Sequence, residues 1–248
     1  MTNQPTFRAA SHPGYVRSNN EDQYLVLRSE DYAFTLLIMA DGMGGHKCGE
    51  VASQIAVDQA SRFIDEKLRE GMTDRQIMDL MERAVELANV HVEIESRSDP
   101  SREGMGTTLT LGLIVHNQFF VSHVGDSRIY LLRRERFEQL TRDDTYVEYL
   151  VQLGQISRAE AAHHPKRNLL TKALGVAEPM SPFLRTYRLH PGDRLLFCTD
   201  GLYDVLSTEE IKDILGQSPT ADRAVSHLIR ATLQGGAPDN VSVIVGFL

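Results

Sequence analysis

Thr35–Glu50 reads TLLIMADGMGGHKCGE, and the fold turns on how this stretch is read. Leu36 to Ala40 is an apolar run of strand length with no Gly or Pro, and it ends on Asp41. A carboxylate at the mouth of a buried strand is costly unless something offsets its charge, and a metal ion is one such partner. Gly42, Gly44 and Gly45 then form a turn whose backbone can approach a ligand closely. A helical pattern follows from about residue 47.

The same arrangement recurs. Asp41, Asp126, Asp200 and Asp239 all stand beside apolar runs, three following one and the last preceding one. Asp41-Gly42, Gly125-Asp126 and Asp200-Gly201 add an adjacent glycine. Each pair alone reads better as a turn or a helix cap, and only the recurrence makes four independent turns the weaker reading. If the strands lie together, the four carboxylates would repel one another. All-oxygen ligation of Mg²⁺ or Mn²⁺ resolves that repulsion, and zinc does not suit it. Arg17, among Asn20, Glu21 and Asp22, suits either a surface salt bridge with Glu21 or Asp22 or bidentate binding of a phosphate; the residues alone favour the salt bridge. The glycine turn is no P-loop, since no Gly-Lys-Ser/Thr follows.

Composition sets outer bounds. The chain has 248 residues, 42% hydrophobic and 24% charged, which suits one domain with a sizeable core. A net charge of −8 gives nucleic-acid binding no global support. The two cysteines, Cys48 and Cys198, have no CxxC partners, so neither a disulfide framework nor a thiolate zinc site is expected. No signal peptide or membrane-length apolar run is read, and a cytoplasmic protein without membrane insertion is expected.

Strands are expected at 5–13, 22–28, 36–40, 107–115, 119–124, 129–133, 136–140, 183–189, 194–198 and 241–248. A helix fits 47–70, and Thr73 with Gln76 makes a capping box for a second. That second helix should bury Ile77, Leu80, Met81, Ala84, Ala88, His91 and Ile94. Capping boxes also occur at Ser157/Glu160 and Ser207/Glu210, and Ser218-Pro219 should open a last helix over 221–233. Residues 143–180, polar and basic, read as a mobile flap with little core inserted into a single domain spanning 1–248. Strand runs separated by helix pairs imply an α+β fold, a central antiparallel β-sandwich flanked on both sides by helices.

Six motifs in order resemble the metal-dependent serine/threonine protein phosphatases of the PP2C (PPM) type, nearest the compact bacterial members. They are Arg17-x-x-Asn20-Glu21-Asp22, Asp41-Gly42-Met43-Gly44-Gly45, Gly106-Thr107-Thr108, Gly125-Asp126-Ser127-Arg128, Asp200-Gly201-Leu202-Tyr203-Asp204 and Asp239-Asn240. The resemblance implies a two-ion Mn²⁺/Mg²⁺ centre and a weaker third site. Asp41 would bridge the two ions and the Gly42 carbonyl would contact one. Asp200 and Asp239 would hold the other, and Glu21 would act through a metal-bound water. Asp126 would serve the third site, with Asp200 or Asp204. Arg17 becomes the phosphate-binding catalytic residue, reversing the preference for a salt bridge. The implied reaction is hydrolysis of phosphoserine and phosphothreonine in proteins by a water or hydroxide bridging the ions. Implied partners are phosphorylated proteins, including a Hanks-type kinase or its targets, acted on by a monomer. Met43 stands where eukaryotic members carry a histidine, which leaves His46 or a metal-bound water as the leaving-group acid. The rivals are a catalytically dead phosphoprotein-binding module, disfavoured by the intact aspartates, and a metal-dependent phosphodiesterase or nuclease, disfavoured by the charge.

Overall fold

The computed structural model describes residues 5–29, 34–44, 48–175 and 180–248. One sheet has strand order β2 (Asp22–Ser29), β3 (Phe34–Met43), β5 (Leu109–Val115), β6 (Gln118–Val124) and β9 (Phe183–Arg188), with β4 (Gly106–Thr107) paired to the end of β3. The other runs β1 (Thr6–His12), β11 (Val241–Phe247), β10 (Arg194–Cys198), β7 (Arg128–Arg133) and β8 (Arg136–Gln139). Every pairing is antiparallel.

Burial on both faces explains why β3 lacks polar alternation. Leu36, Ile38 and Ala40 pack under the helices α1 (Gly49–Lys67) and α2 (Asp74–Ser98). Leu37 and Met39 point the other way, into the interior shared with Ile129, Phe197 and Ile244 of the second sheet. There Phe119 and Phe197 meet edge-on at 6.2 Å between ring centroids. The second sheet is covered by α5 (Asp200–Tyr203), α6 (Thr208–Gln217) and α7 (Ala221–Gln234). Helix, sheet, sheet, helix is the α+β sandwich the sequence implied. The short helices α3 (Tyr146–Gln152) and α4 (Arg158–Ala162) lie between β8 and β9. No helix among the described residues is long and apolar enough to cross a membrane.

Capping boxes form at Thr73, Ser157 and Ser207, as their spacing predicts. Several boundaries differ. The strand begun at Leu36 does not stop at Asp41 but continues to Met43, because Gly42 and Met43 pair with Thr107 and Gly106. The single strand expected over 107–115 is thereby split at Thr108. The last helix is capped by Thr220, whose side chain accepts from the Arg223 amide; Ser218 instead ends α6. On α2 the buried face runs through Ala88, Val92 and Ser96, leaving His91 half-buried and Ile94 60% exposed. The 3.6-residue period selects Val92 once Ala88 is buried. In the flap, α4 buries no residue, but α3 buries Val147 and Leu150, so the base of this segment has more core than its composition suggested. Residues 176–179 of the flap lie outside the described residues.

Candidate active site

Asp41 is held by its own backbone. Its amide donates to Thr108 Oγ1 at 2.9 Å, and its carbonyl accepts from the Thr108 amide at 2.8 Å and from Thr107 Oγ1 at 2.9 Å. Thr108 Oγ1 also lies 3.0 Å from Ser127 Oγ, which ties the loop carrying Asp126 to the same point. Gly125, at φ +107°, makes that approach possible, since a Cβ there would meet Thr108 Cγ2 at 2.5 Å. Gly42 faces the backbone carbonyls of Gly49 and Glu21, the latter only 2.7 Å from where a Cβ would stand.

Asn240 fixes the opposite side. Its Nδ2 donates to the carbonyls of Pro13 at 2.9 Å and Asn19 at 2.8 Å, while its Oδ1 accepts from the Glu21 amide at 2.8 Å. One buried amide thus seats the Arg17–Glu21 turn against the segment that carries Asp239. Asp22 lies beneath. Its Oδ2 accepts from Thr199 Oγ1 at 3.0 Å and Ser242 Oγ at 2.7 Å, so it joins β2 to the residues just before Asp200 and just after Asn240.

Arg17, Glu21, Asp41, Gly42, Asp126, Asp200 and Asp239 all line one cavity of about 820 Å³. The expected salt bridge of Arg17 with Glu21 or Asp22 is replaced by one with Asp239, Nη2 to Oδ2 at 2.6 Å. Asp204 lies apart, lining an adjoining cavity of about 760 Å³ under the flap that shares Asp126 and Asn168 with the first. Asp204 Oδ2 accepts from Asn168 Nδ2 at 3.2 Å. Met43 lines the main cavity; His46 lies outside the described residues. Cys198 is fully buried and its thiol is pushed up to about 12 by that burial, so it is no nucleophile.

The electrostatics show a site short of positive charge. Burial, then repulsion from Asp22, Asp200 and Asp126, holds the Asp41 carboxyl well above the usual range. Burial and Asp200 do the same to Asp126. Asp200 is pushed up to about 6 by burial and by Asp239 and Asp204, although a hydrogen bond with Asp41 pulls the other way. Asp22 is pushed to about 7, chiefly by burial, and its Oδ1 has no hydrogen-bond partner. Among the described residues no three acidic, imidazole or thiol groups stand grouped as ligands of one ion. Asp239 is turned to Arg17, and Asp41 to Asp200. The donor chemistry nonetheless fits hard divalent cations, being all oxygen, crowded and under-neutralised.

Asn240 and Thr108 stood in the family motifs with no role assigned, and Asp22 only as a salt-bridge partner for Arg17. Their partners lie up to 227 residues away along the chain, and no local pattern announces such bonds.

A family model described as "Protein phosphatase 2C" matches residues 14–237. The serine/threonine protein phosphatase PstP of Mycobacterium tuberculosis is 39% identical over 239 residues, 96% of this chain and 44% of that protein, so the chain spans less than half of that relative's length. Protein phosphatase PhpP of Streptococcus pneumoniae is 36% identical over 232 residues, covering 93% of this chain and 92% of the relative. The crystal structure of the PstP catalytic domain in complex with 2 manganese ions superposes with a TM-score of 0.84 at 39% identity, over 98% of this chain and 97% of that one.

Proposed function

Since the chain belongs to the protein phosphatase 2C family, we propose that it hydrolyses phosphoserine and phosphothreonine in proteins, using Mn²⁺ or Mg²⁺. The observation that carries this reading is the meeting of Asp41, Asp126, Asp200 and Asp239 with Arg17 around one cavity. Asp41, the Gly42 carbonyl, Asp200 and Asp239 would hold two ions, and Asp126 would serve a third. Bound divalent cations supply neutralisation of these carboxylates and a nucleophile usable at neutral pH. Arg17 binds and orients the phosphoryl group, its guanidinium already reaching into the cavity. Glu21, held at the amide end of α1 beside Gly49, faces the same space and suits proton handling, because burial raises its carboxyl. Met43 cannot carry a proton, so the leaving-group acid comes from elsewhere.

The whole chain would act as one phosphatase domain, with the flap at about 143–180 beside the cavity. Its substrates would include a Hanks-type kinase or that kinase's targets, met in the cytoplasm by a monomeric enzyme. Phosphate release from phosphothreonine peptides, with Mn²⁺ or with chelator, tests the core of this. Mn²⁺-dependent release is expected, falling at least about a hundredfold in Asp200→Asn. Absence of release from phosphoserine and phosphothreonine peptides alike overturns the reading; full activity in Asp200→Asn overturns the metal assignment alone.

A further inference from the structure

Tyr15 and Val16 are 67% and 72% exposed, more so than any other large apolar side chain among the described residues. Mobility does not account for them, because their backbone is pinned. The Gly14 amide donates to His12 Nδ1 at 3.0 Å, and the Tyr15 amide to the Ala237 carbonyl at 2.9 Å. Gly14, at φ +76°, lies so close to the carbonyls of Asp239 and Ala237 that a Cβ would stand 2.6 Å from the latter. The His12 ring meets the Tyr15 ring edge-on at 6.1 Å. Two apolar side chains are therefore presented to solvent from a fixed platform. Little backbone entropy remains to be lost at Gly14 and Tyr15 when something covers these side chains.

The next residue in the chain is Arg17, which reaches into the cavity and bonds Asp239. A phosphorylated residue bound there is part of a polypeptide, and its neighbours must run over the rim. Tyr15 and Val16 do not line the cavity themselves, but their turn is seated on Ala237 beside Asp239 and Asn240, which do, so a chain leaving the cavity on that side passes over them. We propose that Tyr15 and Val16 form a docking shelf for an apolar side chain flanking the phosphorylated residue of the substrate. The inference rests on the phosphatase reading of the adjacent site. The shelf itself carries no charge, and a rigid aromatic beside a branched aliphatic suits a leucine, isoleucine or methionine.

The test compares two phosphothreonine peptides, one with leucine on both sides of the phosphorylated residue and one with serine, alongside p-nitrophenyl phosphate, which has no residue flanking its phosphate. The native chain is expected to favour the leucine peptide by about tenfold in kcat/KM, the scale of one hydrophobic subsite. Tyr15→Ser combined with Val16→Ser should reduce that preference to within about twofold, mainly through KM. Turnover of p-nitrophenyl phosphate and the melting temperature should stay unchanged. Val16→Glu, a second variant, should shift preference toward arginine-flanked peptides. No preference in the native chain, a preference that survives the double substitution, or an equal loss on p-nitrophenyl phosphate would each overturn the shelf. Failure of the native chain on all three substrates with Mn²⁺ would instead overturn the reading of the site, and the shelf with it.

Discussion

Asn240 shows how much of the site one side chain can set. It spends both amide protons on carbonyls of the 13–19 segment and its oxygen on the Glu21 amide. Alanine leaves three part-buried backbone groups without these partners, each bond worth about 1 kcal/mol. Asn240→Ala is therefore expected to lose roughly 3 kcal/mol of stability in urea unfolding, with kcat/KM falling further than kcat as the Arg17 turn drifts from Asp239. Aspartate will not rescue it, since it donates nothing to the two carbonyls and adds charge beside Asp239. The strand-end aspartates were legible in the sequence because each follows or precedes an apolar run, a one-dimensional signal. The roles of Asn240, Asp22 and Thr108 were not, although the motifs include them, because those roles lie in bonds between segments that only the folded sandwich brings together.

Among the elements, the helix starts marked by capping boxes were read well, for a capping box is local chemistry four residues long, whereas α7, which has none, was read from Ser218 instead of its Thr220 cap. The end of β3 was read short. Asp41-Gly42 looks like a terminus until β4 arrives from residues 106–107 to pair with it. The flap base was underestimated for the same reason. Its anchor is the Asp144 carboxylate, which accepts from the Gly125 amide at 3.1 Å, while the Asp144 backbone pairs with the Gly125 carbonyl and the Thr171 amide. Lys172 Nζ stands 3.7 Å from Asp144 Oδ1. Asp144→Ala deletes the side-chain part and leaves the backbone pairings. The expected result is a loss of about 1–3 kcal/mol and faster amide exchange at Gly125 and Asp126, with α3 still protected. Unchanged exchange at Gly125 would show that the flap does not brace the Asp126 loop.

At the scale of the whole molecule, two sheets with helices outside followed from the order of strand and helix patterns, since each apolar face has few ways to be covered. What the order does not reveal is the electrostatic cost stored at one edge of the sandwich. Asp22 at about 7, Asp200 at about 6, and Asp41 and Asp126 well above the usual range all bind protons more tightly folded than unfolded. For Asp22 and Asp200 that contribution to stability is full below the unfolded value near 3.8 and is lost as pH rises through 6 to 7, and Asp41 and Asp126 act in the same direction. Asp99, Glu160 and Glu210, pulled down by hydrogen bonds at their caps, act in the opposite sense but only on acidification below about pH 4.5, outside this window. Between pH 5.5 and pH 7.5 Asp200 gives up only about 1 kcal/mol, since most of its shift is lost nearer the unfolded value, and Asp22 about 2 kcal/mol, together roughly 6–12 °C of melting temperature for a chain this long. With chelator present, the melting temperature should therefore fall between pH 5.5 and pH 7.5, by no more than that, because His123, whose ring burial keeps from protonating, gains stability over the same range. Mn²⁺ binds the ionised carboxylates, so at a hundred times its dissociation constant it should restore about 2.7 kcal/mol, and more at pH 7.5 than at pH 5.5. The slope of melting temperature against pH should flatten or reverse on adding the ion. Melting curves at four pH values, with chelator and with Mn²⁺, read this directly, and a chelated protein that grew more stable toward pH 7.5 would show that the carboxylates do not share one under-neutralised site.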